Sequence, residues 1–235
     1  MIRSVWIILA ASVVTFGCSV AAIISGLINP YSSSTNGVIR FWSKTLLKIA
    51  GIDVEITGIT NLKDGQPYIF MSNHQSTFDI MSCLAYVPGT ARFLAKKELF
   101  RIPVFAQGMR AAGMIPVDRG NSKKARESID QAVSEVKKGV SVIIFPEGTR
   151  TRDGNIQSFK KGGFVLAIKG GIPIAPIVLS GAREVMQKKE IRLQKGSIKL
   201  EFLKPVATED YGLEQRDNLV KLVRDQIVER YEAIQ

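Results

Sequence analysis

One histidine, His74, serves the whole 235-residue chain. No other side chain has an unperturbed pKa near neutrality, so a general base working there has one address in the sequence. Cysteine is nearly as scarce. Cys18 and Cys83 cannot build a disulfide framework and lack the clustering of a zinc site, which suits a reducing compartment and gives the expectation of no metal. No G-x-S-x-G occurs, so the nucleophile elbow of a serine hydrolase or thioesterase is excluded. Cys83 lies in an apolar stretch without a basic neighbour to lower its pKa, and buried packing is its expected role. Phosphate-cradling glycine loops are missing as well, since Lys161-Gly162-Gly163-Phe164 and Gly170-Gly171 match neither nucleotide-binding pattern. Internal repeats and low-complexity segments are also absent. Finally, the first fifty positions hold no acidic residue, and no charge of either sign falls between Ser4 and Pro30.

What the chain does hold is positive charge, 32 Lys and Arg against 21 Asp and Glu for a net +11. That balance points to an anionic partner: a membrane surface, a phosphate-bearing substrate or nucleic acid. The uncharged run over residues 5–28 is long and apolar enough for a membrane helix, for which a soluble nucleic-acid binder has no use. Met1-Ile2-Arg3 resembles the n-region of a signal peptide, but the run outlasts the usual h-region; a buried core helix of this length would carry a polar face. A polar hinge at Tyr31-Ser32-Ser33-Ser34-Thr35-Asn36-Gly37 precedes a second helix predicted over residues 38–50. Arg40, Lys44 and Lys48 recur along one side of it, with Phe41, Trp42, Leu46 and Ile49 elsewhere, a basic amphipathic pattern suited to lipid headgroups. Basic residues flank the first helix on both sides, so the positive-inside rule does not choose an orientation. A hairpin-like anchor in one leaflet is expected over residues 1–50, with a second domain over 51–235.

Beyond Gly51, Ile52, Val54 and Ile56 alternate with Asp53, Glu55 and Thr57 as an edge strand would. Apolar runs at 68–71, 92–95, 114–117, 142–145, 174–179 and 198–203 predict further strands. Ser122 is the expected N-cap of a helix burying Ala125, Ile129, Ala132, Val133 and Val136, with Gly139 as its stop. Leu219, Val220, Val223, Ile227 and Tyr231 repeat that spacing near the carboxyl end. Strands alternating with helices predict an α/β fold, a mixed sheet flanked by helices, with the N-terminal two-helix membrane anchor added to it. His74, Arg119 and Glu147 then each follow a strand, the crevice position of an open α/β sheet.

His74 opens the motif N-H-x4-D with Asn73 before it and Asp79 five residues on. A carboxylate at that spacing can bond one ring nitrogen, fix the tautomer and leave the other nitrogen to take a proton from an alcohol. Such a pair alone is more often structural than catalytic. Three further blocks follow in order: Gly113-Met114-Ile115-Pro116-Val117-Asp118-Arg119, then Phe145-Pro146-Glu147-Gly148-Thr149-Arg150, then Ile172-Pro173-Ile174-Ala175-Pro176-Ile177. On these blocks the chain resembles the lysophosphatidic acid acyltransferases of the glycerolipid acyltransferase family, over residues 73–178 with weaker likeness outside.

The resemblance implies transfer of a fatty acyl group to the sn-2 hydroxyl of 1-acylglycerol 3-phosphate, forming phosphatidic acid. It implies no cofactor beyond the co-substrate, a thioester of acyl carrier protein or of coenzyme A, and no nucleic acid partner. His74 and Asp79 become the catalytic dyad, acting without an acyl-enzyme. Arg119 and Arg150 are expected to grip the substrate phosphate, because a planar guanidinium binds two oxygens at once. Lys97 adds a further cation. Glu147 is expected to hold Arg150 or the glycerol backbone, Gly148 to allow close approach of main chain to substrate, and Thr149 to lie in the same binding block. Oxyanion donors are expected near Gly148 or in the fourth block. Likeness to bacterial members places the anchor on the cytoplasmic face of the inner membrane. Glycerol 3-phosphate or another lysolipid is the rival acceptor, and an idle lipid-binding module is the rival class, against which the intact His and Asp stand.

Overall fold

The computed structural model describes residues 2–118, 120–188 and 190–234. Among these residues seven strands, β1 (Ile52–Thr57), β2 (Ile69–Ser72), β3 (Ala91–Lys96), β4 (Ile115–Val117), β5 (Ser141–Ile144), β6 (Ile174–Ser180) and β7 (Gly196–Phe202), form one sheet in the order β1-β7-β6-β2-β5-β3-β4. Neighbours run parallel except β6 and β7, which are antiparallel, so the sheet is mixed as expected. β1 lies at an edge. Strands β2 and β5 at the centre are buried along their whole length, and apart from Ser72 and Ser141 at their ends their residues are apolar.

The described residues also form eight α-helices: α1 (Ile2–Ile28), α2 (Ser33–Ala50), α3 (Phe78–Tyr86), α4 (Phe105–Ala111), α5 (Ser122–Lys137), α6 (Gly162–Gly170), α7 (Ala182–Val185) and α8 (Arg216–Ile234). Successive strand residues face opposite sides of the sheet. Phe70, Ile143, Ala175 and Ile177 therefore join one core, shared with Ile7, Leu47 and Cys83 of the first three helices. Ile69, Met71, Val142 and Val178 join the other, filled by Val136, Leu166, Val223 and Ile227. Both faces of the sheet are thus covered.

Two helix starts and one side-chain contact differ from expectation. The helix expected to be capped by Ser122 is capped by Asn121, whose extended backbone lets its side chain accept from the N–H groups of Lys123 and Lys124 at 3.1 Å each. Ser122 becomes the first helical residue. Similarly, the polar stretch read as a hinge is mostly the first turn of α2: the Ser32 hydroxyl accepts from the Thr35 N–H at 3.2 Å, and the helix starts at Ser33. Of its small polar residues Thr35 turns inward on α1, donating to Ser25 at 3.1 Å, while Ser33 and Ser34 are exposed. Arg40, read as a headgroup contact, instead donates to the carbonyls of Val87 at 3.0 Å and Gly89 at 2.9 Å. Lys44 lies over the Tyr86 ring, 5.4 Å from its centre.

Helix α1 is long and apolar enough to cross a membrane. One side of it packs lengthwise on the rest of the chain. Arg3 donates to Ala50 O at 2.6 Å and Leu193 O at 2.9 Å, Thr15 accepts from the Trp42 indole at 3.0 Å, and Gly26 lies so close to Ala111 that a Cβ there would sit 2.1 Å from its carbonyl oxygen. The opposite side exposes Trp6, Val13, Phe16, Ile24 and Leu27, a contiguous apolar surface unusual for a face in water.

Candidate active site

The site lies where β2 and β5 end. Asn73, fully buried just past β2, spends its side-chain amide on the backbone of Leu179, donating to O at 2.7 Å and accepting from N at 2.9 Å. It so extends the β2–β6 ladder by one side chain after the main chain has turned away. His74 follows. Asp79 stands in the first turn of α3 and is 1% exposed, and its Oδ2 accepts from the backbone N–H of Gln75 at 2.6 Å and of Ser76 at 2.7 Å. The same oxygen lies 2.8 Å from His74 Nδ1. With a carboxylate there, the proton belongs on Nδ1, and Nε2 carries a lone pair. Nε2 has no hydrogen-bond partner among the described residues, and the His74 side chain is 12% exposed.

The block after β5 wraps this histidine. The Phe145 ring stacks on the imidazole, centres 4.0 Å apart and planes 10° from parallel. Glu147, 3% exposed, accepts from the His74 backbone N–H at 2.6 Å and from the Gln157 N–H at 3.0 Å. Burial pushes its carboxyl up to about 7 against the pull of those two N–H groups, and the Asp79 charge adds to the push. Its expected partnership with Arg150 is not formed: both carboxylate oxygens face backbone donors, and Arg150 donates to the Thr77 hydroxyl at 2.8 Å, at the start of α3. Gly148 has φ +73°, a backbone conformation that calls for glycine, and the flexible end of the Lys160 side chain passes within 2.9 Å of where its Cβ would be. Thr149 is exposed beside it.

His74, Asp79, Glu147, Gly148, Thr149 and Arg150 are thus adjoining. Lys97 is committed elsewhere, to Asp118 of the second block at 2.7 Å, and this bond holds the Asp118 carboxyl below the usual range. Arg119 lies outside the described residues. The fourth block contributes no oxyanion donor: Ile174, Ala175 and Ile177 are fully buried strand residues, and the Ile174 N–H is spent on Val206 O at 2.9 Å. Lys188 was not foreseen. Its ammonium donates to Thr149 Oγ1 at 2.9 Å and to Arg150 O at 2.5 Å. It stands 38 residues beyond Arg150, outside every motif, so no spacing in the sequence could have marked it. Cys83 is fully buried, and burial pushes its thiol well up, which removes it as a nucleophile. Among the described residues no group of three or more His, Cys, Asp or Glu is placed to hold a metal ion.

The chain matches the acyltransferase family model over residues 53–180. It is 32% identical over 236 residues to a 1-acyl-sn-glycerol-3-phosphate acyltransferase of Saccharomyces cerevisiae, covering 99% of this chain and 78% of that one. Identity to the human 1-acyl-sn-glycerol-3-phosphate acyltransferase alpha is 34% over 173 residues, 73% of this chain and 61% of the human one. Among solved structures, the 1-acyl-sn-glycerophosphate (LPA) acyltransferase PlsC from Thermotoga maritima superposes with a TM-score of 0.79 at 25% identity, over 99% of this chain and 97% of that one.

A carboxyl raised from 4.5 to about 7 binds its proton more tightly in the folded chain than in the unfolded one. Its contribution is present at acid pH and is lost as pH rises through about 7. Replacing Glu147 by Gln should therefore flatten the fall of the melting temperature between about pH 5 and about pH 8, measured in detergent on both proteins. Parallel curves would show that Glu147 ionises at the ordinary carboxylate pH.

Proposed function

From a chain that belongs to the acyltransferase family, we propose transfer of a fatty acyl group from an acyl thioester to the sn-2 hydroxyl of 1-acylglycerol 3-phosphate, forming phosphatidic acid. The observation that carries it is the His74–Asp79 pair, with Nδ1 committed and Nε2 unpartnered at the surface of the site. Nε2 takes the hydroxyl proton as the oxygen attacks the thioester carbonyl, and Asp79 stabilises the imidazolium that forms. The tetrahedral intermediate then collapses, the C–S bond breaks, and the thiolate leaves. A cysteine-like thiol has a pKa near about 8.5, so this departure needs little acid help, and the proton on His74 can follow the sulfur or pass to solvent. The acyl group goes straight from sulfur to oxygen, without an enzyme nucleophile.

Arg150 supplies the acceptor's phosphate site from beside the dyad, with Arg119 of the second block as its partner. The acyl donor is a thioester of acyl carrier protein or coenzyme A; the net charge of +11 favours the acidic carrier through electrostatic complementarity. Residues 1–50 form the anchor and 51–235 the catalytic domain. Because α1 is tied to the catalytic body at Arg3 and Gly26, near its two ends, it lies along that body, and its apolar side enters one leaflet while both ends stay on one side. The expected location is the cytoplasmic face of the inner membrane.

His74→Ala should lower turnover with lysophosphatidic acid by at least about a hundredfold, the scale of a lost general base. Asp79→Asn should behave alike, and mass spectrometry of the lipid products reads both. Near-normal rates in either would end the dyad reading; product only from glycerol 3-phosphate or another lysolipid would change the acceptor. Replacing Arg150 by Ala should raise the KM for the phosphorylated acceptor far more than for the acyl donor, and leave a phosphate-free acceptor no worse than in the wild type. Equal losses with both acceptors would assign Arg150 to holding Thr77. Topology is read by a cysteine placed at position 2 in sealed vesicles: the lying helix requires modification from the side of the catalytic domain, and modification only from the far side would establish a span.

A further inference from the structure

The block after β5 grips His74 at three points. Phe145 stacks on its ring, Glu147 takes its backbone N–H, and the Thr151 N–H donates to its backbone carbonyl at 3.0 Å. Main chain and ring of the histidine are therefore fixed by one loop, while Asp79 fixes only Nδ1. We propose that Glu147 is a positioning residue for His74, acting through the histidine backbone and not on the acceptor. The inference rests on His74 being the base.

Glu147 has almost no surface left for a substrate, being 3% exposed, and its two oxygens face two backbone donors in different segments. The bond to His74, at 2.6 Å, is at the short end for a charge-assisted N–H···O contact. The second, to Gln157, closes the loop on itself, so the carboxylate joins the far end of that loop to the residue bearing the base. A general base needs its acceptor lone pair held on the line of the incoming proton, and displacement by about 1 Å costs about a hundredfold in rate. No single neutral side chain reproduces the arrangement. Glutamine keeps the shape yet turns an NH2 group toward one of the two N–H donors, and aspartate is a methylene too short to reach both.

His74 is the only histidine, so its imidazole nitrogens give the only histidine ring signals in a 15N spectrum of the full-length protein in detergent. The wild type should show one tautomer, protonated at Nδ1. In Glu147→Gln that spectrum should shift toward a mixture of tautomers, kcat should fall by about tenfold to a hundredfold, and the acceptor KM should stay within about twofold. Glu147→Asp is the companion should the glutamine variant not fold, with the same spectral change expected. An imidazole spectrum unchanged by the substitution overturns the proposal, as does a raised acceptor KM at constant kcat, which marks direct contact with the acceptor. A wild type that does not acylate lysophosphatidic acid would defeat the proposed reaction, while the imidazole spectra still decide the positioning role.

Discussion

One carboxylate oxygen organises the site. Asp79 Oδ2 collects the N–H groups of Gln75 and Ser76 together with His74 Nδ1, and this closes the turn between β2 and α3 around itself. Burying a carboxylate is costly unless donors surround it, and here the backbone supplies two of them from the very residues that lead into the helix. The position of Asp79 in the first turn of α3 adds the positive end of the helix. In this turn the imidazole also meets the carboxylate, so one oxygen shapes the loop and selects the tautomer.

The site reaches outward from that point through backbone contacts more than through side chains meeting in open space. Asn73 stitches the turn to β6, the loop after β5 holds the peptide of His74, and Arg150 reaches back to Thr77 at the helix start. Three separate strand ends are thereby locked to one another. Such a site tolerates little movement, and it explains why the block after β5 is dense in residues that turn, stack or accept and poor in residues that swing.

Most of the sheet was legible because its central strands are buried on both faces and so are written as apolar runs, and the edge strand β1 as an alternation. Strand order was not legible, since the antiparallel pairing of β6 with β7 leaves no periodic mark. Helix starts at Ser122 and in the stretch before Val38 were misplaced because several cap-forming residues stood side by side, and backbone geometry chose among them. In the site, residue types were legible and their partners were not. Glu147 looked like a substrate ligand, Arg40 like a headgroup contact, and Lys188 like nothing in particular; each is hydrogen-bonded to main chain distant in sequence. The first two helices also share a core with the sheet, a union that the sharp change in composition near Gly51 conceals.

Arg3 carries a consequence for how the chain is made. Its guanidinium reaches the carbonyl of Leu193, 190 residues later, as well as that of Ala50. The apolar helix α1 is synthesised well before Leu193, so one of its fastenings does not exist until 190 further residues have followed. At about 5–20 residues per second that interval is on the order of ten seconds or more. During it the helix needs somewhere to put its apolar surface, and a lipid leaflet next to the ribosome offers that before the folded body does. Membrane insertion would then precede docking, and the rest of the chain would assemble against a helix already inserted.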